Sequence, residues 1–171
     1  MFSGKTTWLI EYTKKLPQGS YMIFKPNIDK RYATHAIATH SGQSLPAQNI
    51  DYCVPHFPPL RKKIKTILID ELNFFTIDTL FPQITRQLHL GRDVVGVGLL
   101  YDGFKKPFGA TIPLSQKADK FIELYAHCDR CHKRAKHSYR KFKSKKQIVV
   151  GAADTYGACC GTCWPLLQSK S

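Results

Sequence analysis

Two cysteine pairs constrain this chain more than any other feature: Cys128-Asp-Arg-Cys131 and Cys160-Gly-Thr-Cys163. Two Cys-x-x-Cys turns separated by a few tens of residues can close a tetrahedron of thiolates around zinc, at Zn–S distances of about 2.3 Å. All four positions would then be filled by protein, leaving none open for substrate. Such a site is structural and not catalytic. The alternatives for these residues are a redox pair or free buried thiols. Cys159 adjoins the second pair and Cys53 is remote from both; each is expected to be an ordinary buried or spare thiol.

The length of 171 residues suits one sizeable core, or one domain with a small appendage. Hydrophobic residues make up 43% and aromatics 12%, which excludes a disordered chain. No apolar run reaches the ~18 residues needed to span a bilayer, and the N-terminus lacks a signal-peptide layout. A soluble, intracellular protein is expected, with no membrane partner. In that reducing compartment paired cysteines favour metal over disulfide. The net charge of +14 favours polyanionic ligands, either nucleotides or nucleic acid. Nine Lys and Arg with no acid lie between Arg130 and Lys146, and a solvated basic loop explains such a run equally well. The histidines show no ligand or triad spacing. His132 and His137 are assigned to the basic loop.

Apolar runs and breakers predict the elements. Lys5 to Leu16 reads as a helix ended by Pro17 and Gly19. Ser20 to Lys25 and Thr66 to Asp70 read as buried strands, and Val94 to Leu100 as a third apolar run. A strand at Ala36 to Thr39 is weaker. Phe74 to His89 has helical length, with a kink or break at Pro82. Phe121 to Ala126 and Gln147 to Val150 are further strand candidates. Strands alternating with helices predict an α/β domain with a mostly parallel sheet. Its expected extent is residues 1–118, with a zinc-stabilised subdomain over 119–171.

Two short stretches carry chemistry. Gly4-Lys5-Thr6, followed by a helix, fits the second half of a phosphate-binding loop. In such a loop backbone N–H groups wrap phosphate oxygens, the lysine adds charge and the hydroxyl ligates magnesium. The tripeptide alone is a weak signal. Near residue 70, an apolar strand runs into Asp70-Glu71. Adjacent carboxylates at a strand end can divide labour, one organising magnesium and the other accepting a proton. The plain alternative is a charged, solvated turn.

Taken in order, these and further motifs resemble the zinc-containing type of thymidine kinase. The similarity runs through Met1-Phe-Ser-Gly-Lys-Thr6, Lys25-Pro with Asp29-Lys-Arg31-Tyr32, and Thr39-His-Ser-Gly42. It continues through Ile69-Asp-Glu71-Leu-Asn-Phe74-Phe75, Asp102-Gly-Phe104-Lys-Lys-Pro-Phe108-Gly109 and Gly151-Ala-Ala-Asp154-Thr-Tyr156. The cysteine pairs bracket the last of these. The resemblance implies a phosphate-loop, RecA-like α/β fold with a C-terminal zinc-binding and lasso subdomain. It implies transfer of phosphate from ATP to the 5′-hydroxyl of deoxythymidine, in a cytoplasmic homotetramer or homodimer.

By the same resemblance Glu71 would be the catalytic base, with Arg31 beside the acceptor hydroxyl. Ser3, Gly4, Lys5, Thr6 and Thr7 would hold the phosphates of ATP, and Thr6 and Asp70 the magnesium shell. Met1, Phe74, Phe104, Phe108, Ser138, Gln147 and Tyr156 would line the nucleoside pocket, and Ser138 to Ile148 would form the lasso over the base. The basic run largely coincides with that lasso, which makes a nucleic-acid partner unexpected.

Some positions depart from the family pattern. The feeding strand and first loop glycine do not precede Met1. The expectation is a truncated or mis-started product of a longer gene, with weak ATP binding and poor folding if it starts here. Asn73 stands for a usual Gln, Ala152 for Gly and Ser138 for Thr, and the Phe104 to Pro107 spacing is one residue short. Two other functions compete: a degenerate, non-catalytic nucleotide-binding relative, and a basic zinc-ribbon module that binds nucleic acid. The Asp70-Glu71 pair behind a Gly-Lys-Thr helix separates the kinase from the nucleic-acid-binding module, which has no use for it.

Overall fold

A computed structural model describes residues 2–29, 35–39, 41–142, 151 and 153–168. Fifteen elements follow in chain order. They are α1 (Lys5–Thr13), β1 (Tyr21–Pro26), β2 (Ala36–Ala38), β3 (Ser44–Pro46), β4 (Gln48–Ile50), β5 (Thr66–Ile69), a 3₁₀ turn (Leu72–Phe74), α2 (Ile77–His89), β6 (Asp93–Gly96), α3 (Thr111–Lys117), β7 (Ala126–His127), β8 (Arg134–Ala135), β9 (His137–Arg140), β10 (Tyr156–Cys159) and α4 (Trp164–Gln168).

The central sheet has the order β4-β1-β5-β6, and every pairing in it is parallel. The fold is α/β, as the alternating pattern predicts. Parallel strands are covered on both faces, so their sequences are continuously apolar. All four residues of β5, Thr66 to Ile69, are buried. Alternate side chains serve opposite faces. Ile67 and Ile69 pack with Phe24, Phe57, Phe75, Leu80 and Ile84, under α2. Leu68 and Ile23 pack on the other face with Leu9 and Ile10 of α1. The two layers hold α1 and the end of β5 together at the carboxyl edge of the sheet.

A third cluster is built from Ala126, Cys128, Ala135, Ala158, Cys159 and Cys163. Two antiparallel ribbons, β7 with β8 and β9 with β10, carry it. Phe2 from the chain's start packs against this cluster together with Trp164.

Several expectations need correction. The strand expected at Phe121 to Ala126 is confined to Ala126–His127. Phe121 and Ile122 are 53% and 45% exposed, and Lys136 Nζ and the Tyr125 hydroxyl both hydrogen-bond Glu123. This is a surface segment tied down by polar contacts and not by sheet pairing. Pro82 does not break α2, which runs unbroken from Ile77 to His89. Pro82 is exposed, so its missing N–H disturbs the solvent side only. The helix starts later than Phe74, because Leu72–Phe74 forms a separate 3₁₀ turn. The apolar run at Val94 to Leu100 is a strand only to Gly96. The first helix ends at Thr13, before the expected Leu16. The candidate strand at Gln147 to Val150 lies outside the described residues. Among the described residues no helix is long and apolar enough to cross a membrane.

Candidate active site

The chain leaves β5 at Ile69 and turns sharply. Glu71 adopts a left-handed conformation, φ 53° and ψ 51°, which costs a non-glycine residue energy and is held only by its surroundings. Here the Glu71 N–H donates to Asp70 Oδ1 at 2.9 Å, and the Leu72 N–H donates to the Val97 carbonyl at 2.9 Å. Both carboxylates are buried, Asp70 at 5% and Glu71 at 8% exposure. Opposite them begins α1. Its N-cap is Gly4, at φ 74°, a value that favours glycine. Thr6 Oγ1 lies 3.5 Å from Asp70 Oδ2, at the outer limit of a hydrogen bond.

Loop and strand end therefore share one cleft. Ser3, Gly4, Lys5, Thr6 and Thr7 line it with Asp70 and Glu71. Lys25, Asp29 and Thr39 also line it, without having been assigned there from sequence. Lys25 sits in an apolar strand and is only 2% exposed. A lysine inside a buried strand is rare unless paired, and that was the available signal. Its Nζ donates to the Ala36 carbonyl at 3.2 Å, joining β1 to the β2–β3 hairpin. Thr39 Oγ1 accepts the Gln43 N–H at 3.1 Å and lies 2.9 Å from Ser41 Oγ, closing the hairpin tip over the cleft.

Burial, and then the neighbouring Glu71 charge, push Asp70 up to about 7, although Lys5 and the Glu71 N–H pull the other way. A cation at this point would reverse that balance.

The aromatic residues fall into two groups. Phe74 and Phe108 meet edge to face, with ring centroids 5.8 Å apart. Gly109 follows at φ 56°, and a Cβ there would lie 2.2 Å from the Asn73 carbonyl oxygen, so only glycine allows this approach. Phe104 and Tyr156 form the second group, each beneath the Arg140 guanidinium at 4.7 and 5.7 Å. Ser138 is buried beside them on β9. Asn73 is buried and uses its Oδ1 to accept the Leu99 N–H at 2.9 Å. Met1, Arg31 and Gln147 lie outside the described residues. Arg140 belongs to the basic run that the sequence assigns to a solvated loop. It is instead an inward residue of a strand, 2% exposed.

The four paired cysteines come together. Their sulfurs all lie within 4.8 Å of one another, and those of Cys131 and Cys160 are 3.7 Å apart. A regular tetrahedron with Zn–S of about 2.3 Å has edges of about 3.8 Å, so the donor set fits a tetrahedral metal. Burial opposes ionisation of Cys128, yet the backbone N–H groups of Cys160, Cys131 and Arg130 outweigh it and bring the thiol down to about 6. Burial pushes Cys163 up to about 12, reinforced by the neighbouring thiols. Cys160 is lowered too, chiefly by the Cys163 N–H, so two thiols are disposed to ionise and a bound cation would draw the others. Cys159 is buried outside the cluster and pushed up to about 12 by that burial. Cys53 is exposed and remote.

A parallel sheet with a Lys-Thr helix start facing an acidic pair, plus a four-cysteine cluster, defines an α/β protein with a cleft that joins lysines to carboxylates and a second site able to hold a metal. The sequence profile described as thymidine kinase matches residues 1–164. A thymidine kinase of Pseudothermotoga lettingae is 29% identical over all of this chain and 94% of its own length. Thymidine kinases from two strains of Porphyromonas gingivalis are 30% identical over 96% of this chain and 80% of theirs. The chain belongs to the thymidine kinase family.

Proposed function

We propose that this chain transfers the γ-phosphate of ATP to the 5′-hydroxyl of deoxythymidine, giving dTMP. The observation that carries the proposal is the shared cleft of Lys5, Thr6, Asp70 and Glu71. Phosphoryl transfer asks for positioning and charge neutralisation more than covalent chemistry. Lys5 and the N–H groups from Ser3 to Thr7 hold the phosphate chain. Thr6 and Asp70 would hold magnesium, which would supply charge neutralisation to the phosphates. A carboxylate oxygen of Glu71 takes the proton of the acceptor hydroxyl, with Arg31 beside it. Lys25 lines the same cleft and adds a second cationic side chain to that wall.

Met1, Phe74, Phe104, Phe108, Ser138, Gln147 and Tyr156 enclose the nucleoside. A closed apolar pocket excludes water as a competing acceptor. It separates substrates differing by one methyl by only about 1–3 kcal/mol, so deoxyuridine should also be accepted. Cys128, Cys131, Cys160 and Cys163 hold a structural zinc, in a subdomain over residues 119–171 apposed to a nucleotide-binding unit over 1–118. The protein acts in the cytoplasm as a homotetramer or homodimer.

The test is product identification. With labelled ATP, magnesium and a panel of nucleosides, thymidine and deoxyuridine should be labelled at the 5′-oxygen. Label released only as inorganic phosphate, or transferred to deoxycytidine alone, would refute the proposal.

A further inference from the structure

Arg140 lies in β9 directly opposite Tyr156 of β10. It is 2% exposed, and arginine is seldom buried to that degree without specific company. Its guanidinium carbon stands 4.7 Å from the centroid of Phe104 and 5.7 Å from that of Tyr156. Both are within cation–π range. Phe104 belongs to a different part of the chain, a compact turn built by Asp102. Asp102 Oδ1 accepts the Phe104 N–H at 2.8 Å and the Lys106 N–H at 2.9 Å. The turn approaches closely at Gly103, where a Cβ would lie 3.3 Å from Arg140 Cγ and 3.6 Å from Tyr156 Cε1. A second link, Lys105 Nζ over the Trp164 ring at 4.4 Å, is half-exposed and therefore weaker.

We propose that Arg140 is a positioning residue for the nucleoside: its guanidinium docks the Asp102–Pro107 turn onto the β9–β10 ribbon and thereby sets where Phe104 and Tyr156 meet the acceptor. The turn has its own internal hydrogen bonds, and it meets β9 and β10 at Arg140 and Tyr156. Arg140 supplies a planar, delocalised cation that can cover two rings at once. Lysine carries the same charge without the plane. The inference rests on the nucleoside pocket proposed above. It adds that acceptor affinity depends on a cation that does not belong to the phosphate cleft.

The experiment uses the full chain with its metal, as Arg140→Lys and Arg140→Met. Thymidine and ATP are varied independently, and metal content and amide exchange are measured on the same samples. The KM for thymidine should rise about tenfold in both variants, with the KM for ATP within about twofold of wild type. Metal stoichiometry should be unchanged, and the amides of Phe104 and Lys106 should lose exchange protection while that of His132 keeps it. An unchanged thymidine KM would overturn the inference. So would equal rises for both substrates, or loss of metal from both variants, which would make Arg140 a general structural residue. Exchange reads the docking by itself. If wild type fails to phosphorylate thymidine, the proposed function falls, while retained protection in both variants would still overturn the docking.

Discussion

Asp70 shows how one side chain carries two opposed demands. Its burial at the end of β5 places it beside Thr6 and Lys5, but it also raises its proton affinity to about 7, against an ordinary 3.8. The folded state therefore holds a proton that the unfolded chain releases between those values. With more protons on the folded side, stability falls as pH rises from about 4 to about 7, and is level beyond. Without magnesium, urea melts across that window should show a falling midpoint that Asp70→Asn flattens. An equally steep fall in the Asn variant would contradict the assignment. The Asp70-Glu71 pair was legible in sequence because an apolar strand ran straight into it. Its consequence was not: the left-handed turn at Glu71 arises from the Leu72–Val97 and Glu71–Asp70 hydrogen bonds, which join residues far apart or depend on rotamer. Arg140 is hidden for a similar reason, since it looks like a surface cation until its strand partners are known, whereas Lys25 stands in a strand already legible as buried.

Among the elements, long apolar runs were readable and short paired ones were not. β1 and β5 are buried on both faces, so their composition alone announced them. Ser44–Pro46 and Gln48–Ile50 are three residues each, polar or proline-containing, and exist because a neighbouring strand supplies the hydrogen bonds. Strand preference depends on such context. β9 alternates inward and outward residues, with Ser138 and Arg140 inside. The sequence there is part of a longer basic stretch, whose charge masks that alternation.

The four-cysteine cluster belongs to this scale, because it brings β7–β8 together with the turn before α4. A Cys160→Ala variant should lose stoichiometric zinc, and amide protection should disappear from β9 and β10 while β1 and β5 keep theirs. Ribbons of two strands are marginal alone, and the free energy of metal binding is part of the folding free energy. Full zinc occupancy in that variant would exclude the four-cysteine site.

At the scale of the whole molecule, the cleft is assembled from distant parts of the α/β unit. The start of the chain contributes Ser3 to Thr7, and the sheet contributes Asp70 and Glu71 some 65 residues later. The two apolar layers under α1 and α2 fix that meeting, with Leu68 and Ile23 on one side and Ile67 and Ile69 on the other. The sequence order of the motifs was enough to indicate the family. Their convergence is a property of the parallel sheet, which gathers strand ends and helix starts at one edge. If that convergence serves phosphoryl transfer, removing the base must stop chemistry without disturbing the donor. The direct measurement compares wild type with Glu71→Gln, reading single-turnover transfer from ATP to thymidine and ATP affinity on the same preparations. Transfer should fall by about 10²–10⁴-fold, with ATP affinity within about twofold. Equal transfer rates in the two proteins would contradict the assignment of Glu71.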